Sequence, residues 1–135
     1  MSSKRIYALQ RQGNLLWLRV AVGSSSSNPL LLRLLVDTGS SYTVLPTKIL
    51  ERLGCNLEFA LKTTTIVAAG GAIKVPIVAV PWFSCLGVEK SDFPVVAFNL
   101  PEGTLVNGLL DMDFLCYTGA IIDIVKAKIS VMEDV

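Results

Sequence analysis

The run Leu31-Leu32-Arg33-Leu34-Leu35-Val36 ends without transition at Asp37-Thr38-Gly39-Ser40, so an acid sits at the mouth of an apolar, strand-like segment. A carboxylate in that position costs desolvation unless hydrogen bonds compensate. Thr38 and Ser40 bring hydroxyls, and Gly39 brings a backbone amide with no side chain in its way. The chain must therefore fold so that a strand delivers Asp37 to a loop able to hold its charge. Beyond the loop, Thr43-Val44-Leu45 resumes an apolar stretch.

Strand signals dominate the remainder. Residues 15–22 are β-rich, and Gly23, the four serines 24–27, Asn28 and Pro29 form a polar turn before residues 30–36. This predicts a hairpin whose second strand ends at Asp37. Residues 46–54 predict a short helix, with Pro46 in its first turn, Ile49, Leu50 and Leu53 on one face and Gly54 as its stop. Residues 63–69 and 72–78 flank Gly70-Gly71, the strongest local hairpin signal in the chain. A further strand is expected at 94–98, a short helix at 111–116, and a terminal hairpin from 120–125 and 128–132. Many short strands with two small helices predict a mainly β domain with a partly closed sheet. The length suits one domain over residues 1–135, with its core at about 15–132.

Histidine is absent, which excludes Ser/His/Asp and Cys/His nucleophilic catalysis and any His-bearing zinc site. The formal net charge is +1 and no basic stripe occurs, so neither nucleic acid nor an anionic membrane is the expected partner. Cys55, Cys85 and Cys116 are odd in number, widely spaced and set among apolar residues, as expected of reduced core thiols. The basic N-terminal residues have no apolar core of signal-peptide length behind them. The longest apolar stretch, 75–88, contains Pro76 and Pro81 and falls short of the ~20 residues of a spanning helix. A soluble, cytoplasmic protein is the expectation. Trp17 and Trp82 are read as core or groove packing, because no basic groove accompanies them to make a base-stacking platform.

The Asp37-Thr38-Gly39-Ser40 segment, with the apolar run before it and Thr43-Val44-Leu45 after it, resembles the catalytic loop of the aspartic peptidases. An Asp followed by Thr or Ser and then Gly arises by composition in roughly one chain in twenty of this length. The surroundings therefore carry the resemblance: a Gly-Gly hairpin downstream and an apolar-apolar-acid segment near the C-terminus, in the order of the retropepsin plan. One such motif occurs, so the chain is similar to the single-domain retropepsins rather than to the two-lobed pepsins.

That resemblance implies a retropepsin-like acid-protease fold, with a closed or partly closed β-barrel-like sheet, a flap hairpin and one or two short helices. It also implies an endopeptidase with no cofactor and no metal, in which Asp37 of each of two copies forms a catalytic pair on the two-fold axis of a homodimer. The ionised member takes a proton from water while the protonated member polarises the scissile carbonyl. Thr38 would hydrogen-bond across the dimer, Gly39 would let the loops approach, and the Ser40 hydroxyl would donate to the outer oxygen of Asp37. Ala69, Gly70, Gly71 and Ala72 would form a flap that closes over an extended peptide or protein substrate. A hairpin turn with no lid role is the alternative for these four residues. Ile129, Val131 and Met132 on the terminal strand would face either a partner or the core.

The departure from the family pattern lies at Asp111. Family members commonly carry two apolar residues and then Gly before the short helix, where this chain has Leu109-Leu110-Asp111. Asp111 is expected to cap that helix, and Asp113 to be a solvated first-turn acid that complements the helix dipole. Neither is assigned to catalysis. The bulk and charge of Asp111 leave a second reading open, a retropepsin-like binding or dimerisation module with weak or no turnover.

Overall fold

The computed structural model describes residues 4–25 and 28–132. In chain order these form strands β1 (Lys4–Ala8), β2 (Gln10–Gln12), β3 (Leu15–Gly23), β4 (Leu30–Val36) and β5 (Val44–Leu45), then helix α1 (Thr47–Arg52) and a single 3-10 turn (Leu57–Phe59). Strands β6 (Lys62–Ala68), β7 (Gly71–Cys85), β8 (Val88–Ala97) and β9 (Gly108–Leu110) follow, then helix α2 (Met112–Thr118) and strands β10 (Ile121–Asp123) and β11 (Lys128–Met132). The larger sheet runs β2-β3-β4-β9-β5-β8-β7-β6. The end of β3 also pairs with β7, through Ala21 with Ser84, Val22 with Phe83 and Gly23 with Trp82, so the sheet curls back on itself. This is the mainly β, partly closed sheet that the strand pattern predicts.

The curl encloses the core. Val20, Val22, Leu34, Leu45, Val80 and Leu110 are fully buried along its inner face, each such side chain contributing on the order of 2 kcal/mol of apolar burial. Helix α2 is held to the sheet by Phe114, whose ring lies 5.4 Å from Phe83 and 6.0 Å from Phe93, while these two stand 4.7 Å apart. Leu50 and Leu53 bury the inner face of α1, with Ile49 half-buried beside them. Pro46 stands at the N-cap of this helix, one position earlier than expected, and Gly54 follows it with φ of +85°.

Strand β7 runs through both prolines of the 75–88 stretch. Pro76 falls where β7 is paired with β6 and not yet with β8, so one edge is free for a residue without an N–H. At Pro81 the β7–β8 ladder skips a pair, passing from Val80–Phe93 to Trp82–Ser91. Asp92, the residue left out, has φ of +50°.

The second sheet, β1-β11-β10, joins the two ends of the chain, with Lys4 opposite Met132 and Ala8 opposite Lys128. The sequence pattern did not signal β1 or β2, and the 3-10 turn was also missed. Ile129 and Val131 are buried in the core, which decides their role; Met132 is half-buried. Of the three thiols expected in the core only Cys85 lies there. Cys55 is half-buried and donates to the Ala79 carbonyl at 3.4 Å, and Cys116 is exposed at the end of α2; all three are free. Trp17 is buried, with the Arg19 and Arg33 guanidiniums each 5.3 Å from its ring centroid. Part of the four-serine turn, residues 26 and 27, lies outside the described residues. Among the described residues no helix is long and apolar enough to cross a membrane.

Candidate active site

Strand β4 carries the chain to Asp37, and β5 leads it away seven residues after the acid. Between these two strands lies β9, parallel to β4 through Leu34–Gly108, Leu35–Leu109 and Val36–Leu110, and paired with β5 at Val44–Leu109. The loop is thus strapped across a third strand. The strap is tight at Gly108, where any Cβ would collide with the Val44 carbonyl oxygen, so only glycine fits.

The loop backbone is tied down along its length. The Asp37 amide donates to the Leu110 carbonyl at 3.0 Å. Its carboxylate is half-buried, and Oδ1 accepts the Gly39 amide at 2.9 Å. At the start of α2, the Met112 and Asp113 amides donate to the Ser40 and Ser41 carbonyls at 3.0 and 3.1 Å. A helix N-terminus has four amides without internal partners. Here the Asp37-loop carbonyls accept two of them, so the two structures stabilise each other.

This arrangement reverses the expected roles of the two acids on α2. Asp113 is no solvated acid: it is half-buried, its Oδ2 accepts the Thr43 amide at 3.0 Å, and its Oδ1 accepts the Thr43 hydroxyl at 2.8 Å and the Phe114 amide at 2.8 Å. Thr43 Oγ1 also accepts the Asp111 amide at 3.2 Å, and Thr43 is itself fully buried. Asp111 occupies the N-cap position but makes no side-chain cap, because the loop carbonyls and Asp113 already take the helix amides. Its side chain is wholly buried, and neither oxygen has a hydrogen-bond partner of ordinary geometry. Burial pushes its pKa up to about 7, and the charges of Asp37 and Asp113 add to the rise, while the Ser40 side chain pulls it the other way. The hydrogen bond that reaches the Asp37 carboxylate comes from Gly39, and the Ser40 side chain acts on Asp111.

Two hollows border the loop. One, of about 380 Å³, is lined by Gly39, Ser40, Ser41 and Tyr42 of the loop, Val44 of β5, Val96 of β8, and Thr64, Thr65, Ile66 and Val67 of β6. The other, of about 220 Å³, puts Thr38 beside Met112, Leu115 and Cys116 of α2 and Gly119, Ala120 and Ile122 beyond it. Thr38 is exposed there. A larger hollow of about 480 Å³, beside the end of α1, includes no residue of the Asp37 loop in its lining.

The hairpin expected across the site is present, formed by β6 and β7, with Ala68 opposite Gly71 and the turn at Ala69-Gly70. Gly71 begins β7 with φ of +117°, so the tip lies one residue earlier than the glycine pair suggested. Of the residues named from the sequence, Gly39 and Ser40 meet this hairpin across a cleft, whereas residues 69–72 line neither hollow. The hairpin residues that do face the loop, Thr64 to Val67, were not foreseen. Neither was Tyr42, whose ring lies 5.6 Å from Lys62 Nζ at the base of β6. The Thr-rich alternation of β6 was the available signal.

The aspartyl protease family model matches residues 23–114, and the chain belongs to that family. In fold it is similar to a retropepsin-like aspartic protease from Rickettsia conorii, at a TM-score of 0.65 and 22% identity, covering 98% of this chain and 92% of that one. It is also similar to the retroviral protease-like domain of Ddi1 from Leishmania major, at a TM-score of 0.51 and 17% identity, covering 83% of each chain. No curated protein sequence matches the chain significantly. The fold is therefore retropepsin-like, as the motif order implied.

Proposed function

We propose that the protein is an aspartic endopeptidase that acts as a homodimer, with Asp37 of each copy forming the catalytic pair. The observation that carries this reading is the Asp37 loop, which presents a half-buried carboxylate on a backbone fixed by β9 and α2 and beside an exposed Thr38. One chain supplies one such loop, so the second carboxylate comes from a second copy. Two carboxylates at close range share one proton; the ionised member activates water and the protonated member polarises the peptide carbonyl. Thr38 and Gly39 then face the partner loop, and the exposed tip, Ala69, Gly70, Gly71 and Ala72, closes over an extended peptide lying against β6. The chemistry calls on no cofactor.

The test exposes wild type and Asp37→Asn, at high concentration and at several pH values from mildly acidic to neutral, to a diverse peptide library read by mass spectrometry. Wild-type cleavage that falls by at least about a thousandfold in the variant is expected. Sedimentation that finds a dimer with neither form cleaving would overturn the reading. The buried acid under the loop favours one second reading, a peptide-binding module with weak turnover; a peptide that titrates to saturation without product is its signature.

A further inference from the structure

Asp111 is a buried acid that neither caps its helix nor touches solvent. The backbone amides around it are already committed: Met112 and Asp113 to the loop carbonyls, Phe114 to Asp113, and its own to Thr43. Ser40 lies against Asp111, because the Ser40 carbonyl accepts the amide of the next residue, Met112, at 3.0 Å, and the groups that act on its charge are the Ser40 side chain and two acids, Asp37 from the loop and Asp113 from the first turn of α2. A carboxylate so buried, with only acids among the charged groups that act on it, keeps its proton through the acidic range. A carboxylic acid can donate as well as accept, while the Ser40 hydroxyl has one hydrogen to give. Ser40 stands in the same loop as Asp37 and lines the cleft.

We propose that Asp111 is a positioning residue whose protonation state decides which carboxylate the Ser40 hydroxyl serves. As a neutral acid, Asp111 donates to Ser40 Oγ and turns the Ser40 hydrogen toward Asp37. As a carboxylate, it takes that hydrogen itself and sets a second negative charge behind Asp37. Being wholly buried, it touches no substrate and acts only through Ser40 and through charge. Its effect on turnover rests on the protease reading above, whereas its proton-holding does not. The catalytic loop is thereby built to work in acid and to lose its alignment as the pH passes neutrality.

Carboxyl 13C NMR of the whole protein tests this, with the Asp111 resonance assigned by its loss in Asp111→Asn. The expected Asp111 midpoint lies near neutrality, far above the exposed carboxylates, falls in Asp37→Asn as repulsion is removed, and rises in Ser40→Ala as the donor is lost. An Asp111 signal that titrates with the exposed acids, or one unmoved by Ser40→Ala, overturns the proposal. In peptide cleavage, the Asn side chain can donate to Ser40 at every pH, so Asp111→Asn is expected to exceed Asp111→Gly by about tenfold in acid and to lose the wild-type decline near neutrality. Equal losses in the two variants at all pH values would reduce Asp111 to a packing role and overturn the proposal. If wild type cleaves nothing while the three NMR shifts hold, the protease reading fails and the Asp111–Ser40 linkage stands.

Discussion

The floor beneath Asp37 and the β6–β7 hairpin opposite it are built on contrasting terms. In the floor, Thr43, Leu110 and Asp111 are fully buried, Gly108 has no room for a methyl group, and three elements share their hydrogen bonds with the loop. The hairpin beyond Val75 is two strands with no third neighbour; Val67 is 87% exposed, and a Cβ at Gly70 or Gly71 would meet nothing within 4 Å. Isolated two-stranded hairpins are marginal in water, and low packing density is where local opening is cheapest. The contrast separates the two demands of the site. Under the proposed function a reacting carboxylate is held rigidly in place, whereas the hairpin that closes over the peptide moves.

Five measurements probe that contrast. The largest effect is expected from pH acting on the floor. The folded chain holds the Asp111 proton up to about 7, against an ordinary carboxyl value of 3.8. Between those values the unfolded state releases a proton that the folded state keeps, so stability falls as pH rises across this window and levels off above it. The ceiling on the loss is about 4 kcal/mol, and urea titrations from pH 4 to 7 should show the slope in wild type and not in Asp111→Asn. Gly108→Ala comes next, costing about 3 kcal/mol in urea unfolding because β5 and β9 must separate to admit the methyl group. Thr43→Val removes a hydroxyl that both donates to Asp113 and accepts from Asp111, and a loss of about 2 kcal/mol is expected in thermal melts. The smallest effects belong to the hairpin: Gly71→Ala costs about 1 kcal/mol through its positive φ, and Gly70→Ala stays within about 0.5 kcal/mol. A Gly70→Ala cost equal to that of Gly108→Ala would show that the hairpin is packed in solution and the contrast false.

Much of the architecture was legible because it is written locally. The β3–β4 and β6–β7 hairpins announce themselves by short polar or glycine turns between apolar runs, and α1 by its apolar face and Gly54, which follows the helix with a positive φ. What could not be read depends on partners far along the chain. Strand β1 exists because β11, more than a hundred residues away, pairs with it, and nothing in Lys4–Ala8 signals that partner. Likewise Asp113 looks solvated until Thr43, 70 residues distant, donates to it.

Residue order is enough to say that a strand ends in Asp37, that small and hydroxylated residues follow it, that a glycine hairpin comes later, and that histidine chemistry is closed to this chain. These are properties of residue order, local turn preference and the side-chain inventory. The tertiary structure alone decided the fate of the acids at 111 and 113. Both stand in the same half-turn of helix and offer the same carboxyl group. Folding the loop over α2 gives one of them three hydrogen bonds and leaves the other buried with none, because a helix start has few amides to share and the loop carbonyls reach them first.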